Sequence, residues 1–181
     1  QVSTGQVLGA QQVPVSTIAP GIFTSCQANQ TGNLREACVL NEDSTVNTST
    51  NPAARGSVVQ IFATGQGLVS NAPADGAPAP SSEPLARSLA TPRVIMNTCF
   101  TDDCGAAQPG DVGTSGSHSG SWVSYSGLAP GFVGLWQINA QIPMAVPPSS
   151  STGGVTILAV QLNGQGSTDT TSGFRTFFYV K

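Results

Sequence analysis

Alternation of apolar and polar side chains is the dominant pattern in this chain, and it is clearest over residues 57–64 and 135–142. In the second stretch Trp136, Ile138, Ala140 and Ile142 fall on one side while Gln137, Asn139 and Gln141 fall on the other. That two-residue period predicts a strand with one buried and one wetted face. Further strands are predicted at residues 6–16, 37–40, 92–97, 122–126, 155–162 and 174–180. Residues 155–162 are apolar on both faces, which predicts a central strand, and Asn163-Gly164 directly after them is a strong turn signal because both residues tolerate positive φ. Residues 71–89, rich in Ala and Pro, and residues 147–154 read as connecting loops. Short strands separated by turns in this way predict an all-β fold, a sandwich of two antiparallel sheets.

Composition supports that picture. The 181 residues suffice for one domain with a sizeable core. Only 8% of them are charged, against about a quarter in an ordinary soluble domain, so Ser, Thr, Asn and Gln must carry the solvent contact and helical ion-pair faces are nearly absent. With 21 Gly, 13 Pro and no extended stretch of strong helix formers, nothing competes with the strands. A net charge of −3, with Lys181 the single lysine and five scattered arginines, argues against a nucleic-acid partner. No apolar run approaches the length of a membrane-spanning helix. The chain begins at Gln1 with no Met and no basic or apolar leader, and it reads as a mature product whose secretion signal has been removed.

Four phrases carry a family resemblance: Ala19-Pro-Gly-Ile-Phe-Thr24, Val39-Leu-Asn-Glu-Asp-Ser-Thr-Val-Asn47, the strand entered through Asn51-Pro-Ala-Ala-Arg-Gly56, and the strand entered through Leu128-Ala-Pro-Gly-Phe132. In that order they resemble the uncharacterised immunoglobulin-like C-terminal domain of many large secreted acidobacterial proteins. The resemblance runs from about Ala19 to the end of the chain. It implies an immunoglobulin-like antiparallel β-sandwich and an extracytoplasmic address, and it lends no activity. Residues 26–38 and 97–120 are longer than the family pattern, and they hold all four cysteines.

Four cysteines permit three connectivities, and proximity together with placement in the two long loops favours Cys26 with Cys38 and Cys99 with Cys104. A zinc site is disfavoured because Cys26 and Cys38 lack a short-spaced partner and His118 is the only histidine. Paired cysteines in a chain of low charge point to an oxidising compartment.

Candidate chemistry is sparse. His118 lies in a Gly/Ser-rich stretch, where a solvated loop histidine is the commoner reading than a triad with Asp102 or Asp103 and a serine. The acids Glu36, Glu42, Asp43, Asp75, Glu83, Asp102, Asp103, Asp111 and Asp169 all fall in expected loops or turns, not as the buried pair that glycoside hydrolysis needs. Asn41, Asp43, Thr45 and Asn47 alternate like the oxygen ligands of a calcium loop, but the loop glycine and the distal Glu are missing, so an Asx-rich turn is expected. Trp122, Tyr125, Phe132 and Trp136 suit either a sugar-stacking platform or the core; Trp136, sharing a face with Ile138 and Ile142, belongs to the core. Asn29 and Asn47 begin glycosylation sequons, which are silent in a bacterial source.

Residues 1–18 are expected to be an extended N-terminal strand and residues 19–181 the sandwich. In the resembling family such a strand closes a preceding domain. Here it has none, so Val7, Leu8, Val13 and Val15 offer apolar side chains on a strand without a sheet. Two readings follow, neither involving a cofactor. In the first the chain is a non-catalytic extracellular structural subunit whose strand completes the next copy and builds a filament, its partners being copies of itself. In the second it is a secreted monomeric module for binding or adhesion, with surface glycans as the partner and the strand folded back.

Overall fold

The computed structural model describes residues 15–24, 30–31, 33–99, 118–119, 123–144, 146–149, 154–167 and 175–181. Every regular element among them is a strand: β1 (Gly21–Ile22), β2 (Gln30–Thr31), β3 (Leu34–Glu36), β4 (Val39–Leu40), β5 (Val58–Thr64), β6 (Arg93–Cys99), β7 (His118–Ser119), β8 (Val123–Leu128), β9 (Trp136–Gln141), β10 (Val155–Leu162), β11 (Gln165–Gly166) and β12 (Arg175–Phe178). Among the described residues no helix is long and apolar enough to cross a membrane.

The strands form two sheets. In the first, β1 and β4 lie along one side of β5, and β9 and β8 follow on the other side. In the second the order is β2-β3-β12-β10-β6-β7, with β11 turning back onto β10. Val59, Ile61, Ala63, Trp136, Ile138 and Ala140 from the first sheet meet Val94, Met96, Leu158, Val160, Leu162 and Phe178 from the second in one buried cluster. Two sheets packing inner faces in this way make a β-sandwich-like arrangement. The polar alternates of β9, Gln137, Asn139 and Gln141, stay outside the buried set, as the period requires.

β10 is central, paired with β6 on one side and β12 on the other, and only Gln161 of its eight residues escapes burial. Its other face, with Val155 and Ile157, joins Phe177 in a second cluster against which Leu34 and Tyr179 pack. Asn163 and Gly164 follow with φ of 48° and 82°, closing the two-residue hairpin that pairs Leu162 with Gln165.

Three features correct the sequence reading. The sheets are not wholly antiparallel, because β3 runs parallel to β12, pairing Glu36 with Phe177. No hairpin joins these two strands, so nothing local fixes their relative direction. The strand expected at 37–40 is shorter, only β4 at Val39–Leu40, and the chain crosses to it from β3 on the other sheet. The Ala37 amide donates to the Phe177 carbonyl on the second sheet, while the Cys38 amide donates to Phe23 and the Cys38 carbonyl accepts from Phe62 on the first. Finally, Val15 and Ser16, the end of the strand expected at 6–16, lie in no strand ladder. Val7, Leu8 and Val13 lie outside the described residues.

Candidate functional site

The Asx-rich turn expected over residues 41–47 is held by its own side chains. The Asn41 amide donates to the Thr45 carbonyl at 2.8 Å, the Ser44 amide donates to the Asn41 carbonyl at 2.8 Å, and Ser44 takes a φ of 64°. Asp43 Oδ1 accepts from the Thr45 hydroxyl at 2.6 Å and from its amide at 3.0 Å. The hydroxyl, then the amide, holds the Asp43 carboxyl below its ordinary value. Asn41 and Asn47 are buried: Asn47 Nδ2 donates to Asn41 Oδ1 and to the Tyr179 carbonyl, and its Oδ1 accepts from the Tyr179 amide at 2.8 Å. Among the described residues no three His, Cys, Asp or Glu side chains gather as metal ligands. A buried, fully engaged Asn47 side chain also leaves its sequon nowhere to carry a glycan.

The aromatic candidates separate. Trp136 is fully buried, its indole N–H donating to Ser126 Oγ at 3.0 Å. Tyr125 is buried too, donates to the Leu128 carbonyl at 2.7 Å, and has Arg87 above its ring at 5.2 Å. Burial raises its phenol above the ordinary value. Phe132 is exposed on the loop before β9, and Trp122 lies outside the described residues. Of the three described residues, Tyr125 and Trp136 are buried and only Phe132 is exposed, so these three make no exposed platform.

His118 sits in β7 rather than in an open loop, its backbone opposite Met96. Asp102 and Asp103 lie outside the described residues. Glu36, expected in a loop, is instead 3% exposed on β3, and its Oε2 has no hydrogen-bond partner among the described residues. Its negative charge adds to burial in raising the Tyr179 phenol. The segment Leu34-Arg-Glu36 has no apolar period to mark it as a strand, so the sequence gives no sign of this burial.

Among the described residues, exposed apolar side chains stand near the point where the N-terminal segment leaves. β1 pairs with the last residues of β5, and the Ala19 amide donates to the Gly65 carbonyl at 3.1 Å. Gly65 has a φ of 81°, and a Cβ there would lie 1.8 Å from the Ala19 carbonyl oxygen, so only glycine lets the two backbones approach. Ile18 packs on the core edge, and Ser16 Oγ donates to its carbonyl at 2.6 Å. Beyond that anchor the chain turns outward, and Val15 is 95% exposed. Near Thr17 and Ile18 the Leu89 amide donates to the Leu68 carbonyl, and the Val69–Ser88 bridge fixes the two segments, leaving Leu68 78% and Leu89 67% exposed. Together with Thr17, Ile18, Gln66, Gly67, Ala90 and Asn163 they line an open cleft of about 680 Å³. Sequence reading missed Leu68 and Leu89, which lie in Gln66-Gly-Leu-Val-Ser70 and Leu85-Ala-Arg-Ser-Leu-Ala90 with no two-residue period to mark them.

The segment 86–88 covers the outer edge of β8 through the Ser88-to-Ser126 and Leu128-to-Ala86 hydrogen bonds. Arg87 there pairs with Glu83 at 2.7 Å, and the Leu85 amide, then Arg87, holds the Glu83 carboxyl below its ordinary value. Cys38 is disulfide-bonded; Cys26 and Cys104 lie outside the described residues, and Cys99 ends β6. The chain matches no family model, no curated protein and no solved structure.

Proposed function

We propose that this chain is a non-catalytic extracellular structural subunit, an immunoglobulin-like sandwich that assembles into a filament by donating residues 6–16 as a strand to a neighbouring copy. The observation that carries the reading is Val15, 95% exposed where the chain leaves its anchor at Ile18. In an extended strand Val7, Val13 and Val15 share one face, so the apolar face of the segment stands outside its own core at the one position described. A strand with such a face gains main-chain hydrogen bonds and apolar burial by adding to another sheet edge. Because one copy donates and the next accepts, the contact does not close and growth continues.

The polar clusters support the same reading. Asn41, Asn47, Asp43 and Thr45 spend their hydrogen bonds on holding a loop, and Tyr125 and Trp136 spend theirs on the core. We also assign the disulfides Cys26–Cys38 and Cys99–Cys104, and with them an oxidising, extracytoplasmic location. The test is size exclusion and electron microscopy of the intact chain beside a chain lacking residues 1–16. Intact protein in the void volume as filaments, and the shortened chain as a folded monomer, is the expected result. A monomeric intact chain at high concentration would instead favour the binding-module reading, with the strand folded back.

A further inference from the structure

The apolar end of the sandwich extends well past the strand itself. Val15, Leu68 and Leu89 are three of the seven large hydrophobics exposed among the described residues, and all three adjoin the 680 Å³ cleft or the chain that enters it. Phe132 and Val133, each 59% exposed, lie in the loop before β9. Since Trp136 at the start of β9 is opposite Ala63 near the end of β5, that loop is at the same end of the first sheet as Gly65. Phe132 and Val133 thus share the end of the first sheet from which the N-terminal segment departs, while Leu68 and Leu89 line the cleft with Ile18. Phe23, which follows the Ile22–Ala63 pair, is also toward this end of β5, and Met144, close to Gly56, is at the other. Leu68 and Leu89, joined by a main-chain hydrogen bond and facing one open cleft, are exposed apolar surface of the kind that marks an interaction site.

We propose that this end face is covered by a second copy of the chain, namely the copy that receives the N-terminal strand. The inference rests on the strand-addition reading. Its specific ground is distance: Ile18 is fixed against the core, and Val15 is only three residues further on, about 10 Å of extended chain. A strand whose last residues are 15 and 16 cannot enter another sheet without bringing that sheet's owner against the surface beside Val15. The surface it meets is Leu68 and Leu89 around the cleft, with Phe132 and Val133 beyond. The donated strand thus supplies the link, and the end face sets the angle and stiffness of the joint by burying a second, non-strand contact.

The full-length chain carrying Leu68→Ser and Leu89→Ser tests this, because both residues are exposed and the fold does not depend on them. Sedimentation across a dilution series should show the critical concentration for assembly rising about tenfold, equivalent to about 1.4 kcal/mol per junction. A photo-crosslinking residue placed at Leu89 of otherwise intact protein should join neighbouring copies. An unchanged critical concentration, or crosslinks confined to one copy, overturns the end-face contact while leaving strand addition standing. Wild-type protein that stays monomeric at every concentration overturns both, and Val7→Ser with Val13→Ser, which leaves the end face intact, should abolish growth if strand addition is right.

Discussion

Asn47 shows how much a single polar side chain can hold. It is 2% exposed and bridges Asn41 to both main-chain groups of Tyr179, tying the 41–47 turn to the C-terminal segment. Asn47→Ala removes partners from two largely buried backbone groups, and the expected destabilisation is about 2–4 kcal/mol, read as a lower urea midpoint. A change under about 0.5 kcal/mol would mean that water replaces the amide. Charged side chains act at the same scale. Asp43 and Glu83 are both held below their ordinary values of 3.8 and 4.5. The unfolded chain then binds protons more readily than the folded one, so their contribution is complete above the ordinary carboxylate values and is lost as pH falls through the lower folded ones. Asp43→Asn and Glu83→Gln keep an acceptor for Thr45 and Leu85, so each should flatten the acid-side fall of the urea midpoint. An acid limb identical to wild type would show that neither carboxyl contributes to it.

Among the elements, the joint between β1 and β5 is the one on which the proposed assembly would depend. Gly65→Ala forces a side chain into the left-handed region, which costs about 1–2 kcal/mol, and drives it onto the Ala19 carbonyl. The expected outcome is lower stability together with faster hydrogen exchange at the Ala19 amide; exchange there unchanged would show that the strand root is held by Ile18 alone. Gly127 is a second close approach, where a Cβ would lie 2.2 Å from the Ala86 carbonyl oxygen, so Gly127→Ala should lift the 86–88 segment off the β8 edge. The legibility of these elements varied with their period. β5, β9 and β10 could be read directly, because alternation or a doubly apolar run survives in them. β2, β3 and β7 are two or three residues long, too short for a period to show, and β3 takes its parallel partner from the distant β12.

For the whole molecule, the expected behaviour is growth by addition at one end. A synthetic peptide of residues 1–16 should occupy the accepting edge and cap filaments, and elongation that continues unchanged in its excess would count against strand addition. Non-reducing peptide mapping should find Cys26 joined to Cys38 and Cys99 to Cys104. Each short loop so closed contributes about 2–3 kcal/mol by chain entropy, so reduction should lower the melting temperature before it alters assembly. A peptide joining Cys26 to Cys99 or Cys104 would reverse the pairing.

The sequence by itself determined that the protein is all-β, where its longest strands lie, that Trp136 is in the core, and that Asn163-Gly164 turns the chain. Each of these follows from a short-range rule, a two-residue period or the φ tolerance of one dipeptide. Only the tertiary structure decided that β3 runs parallel to β12, that Glu36 is buried, and that the chain changes sheets between Ala37 and Cys38. It also decided that Leu68 and Leu89 stand exposed near Thr17 and Ile18. Those facts depend on which distant segments come to lie side by side. Pairings more than a hundred residues apart leave no periodic trace in the residues that make them.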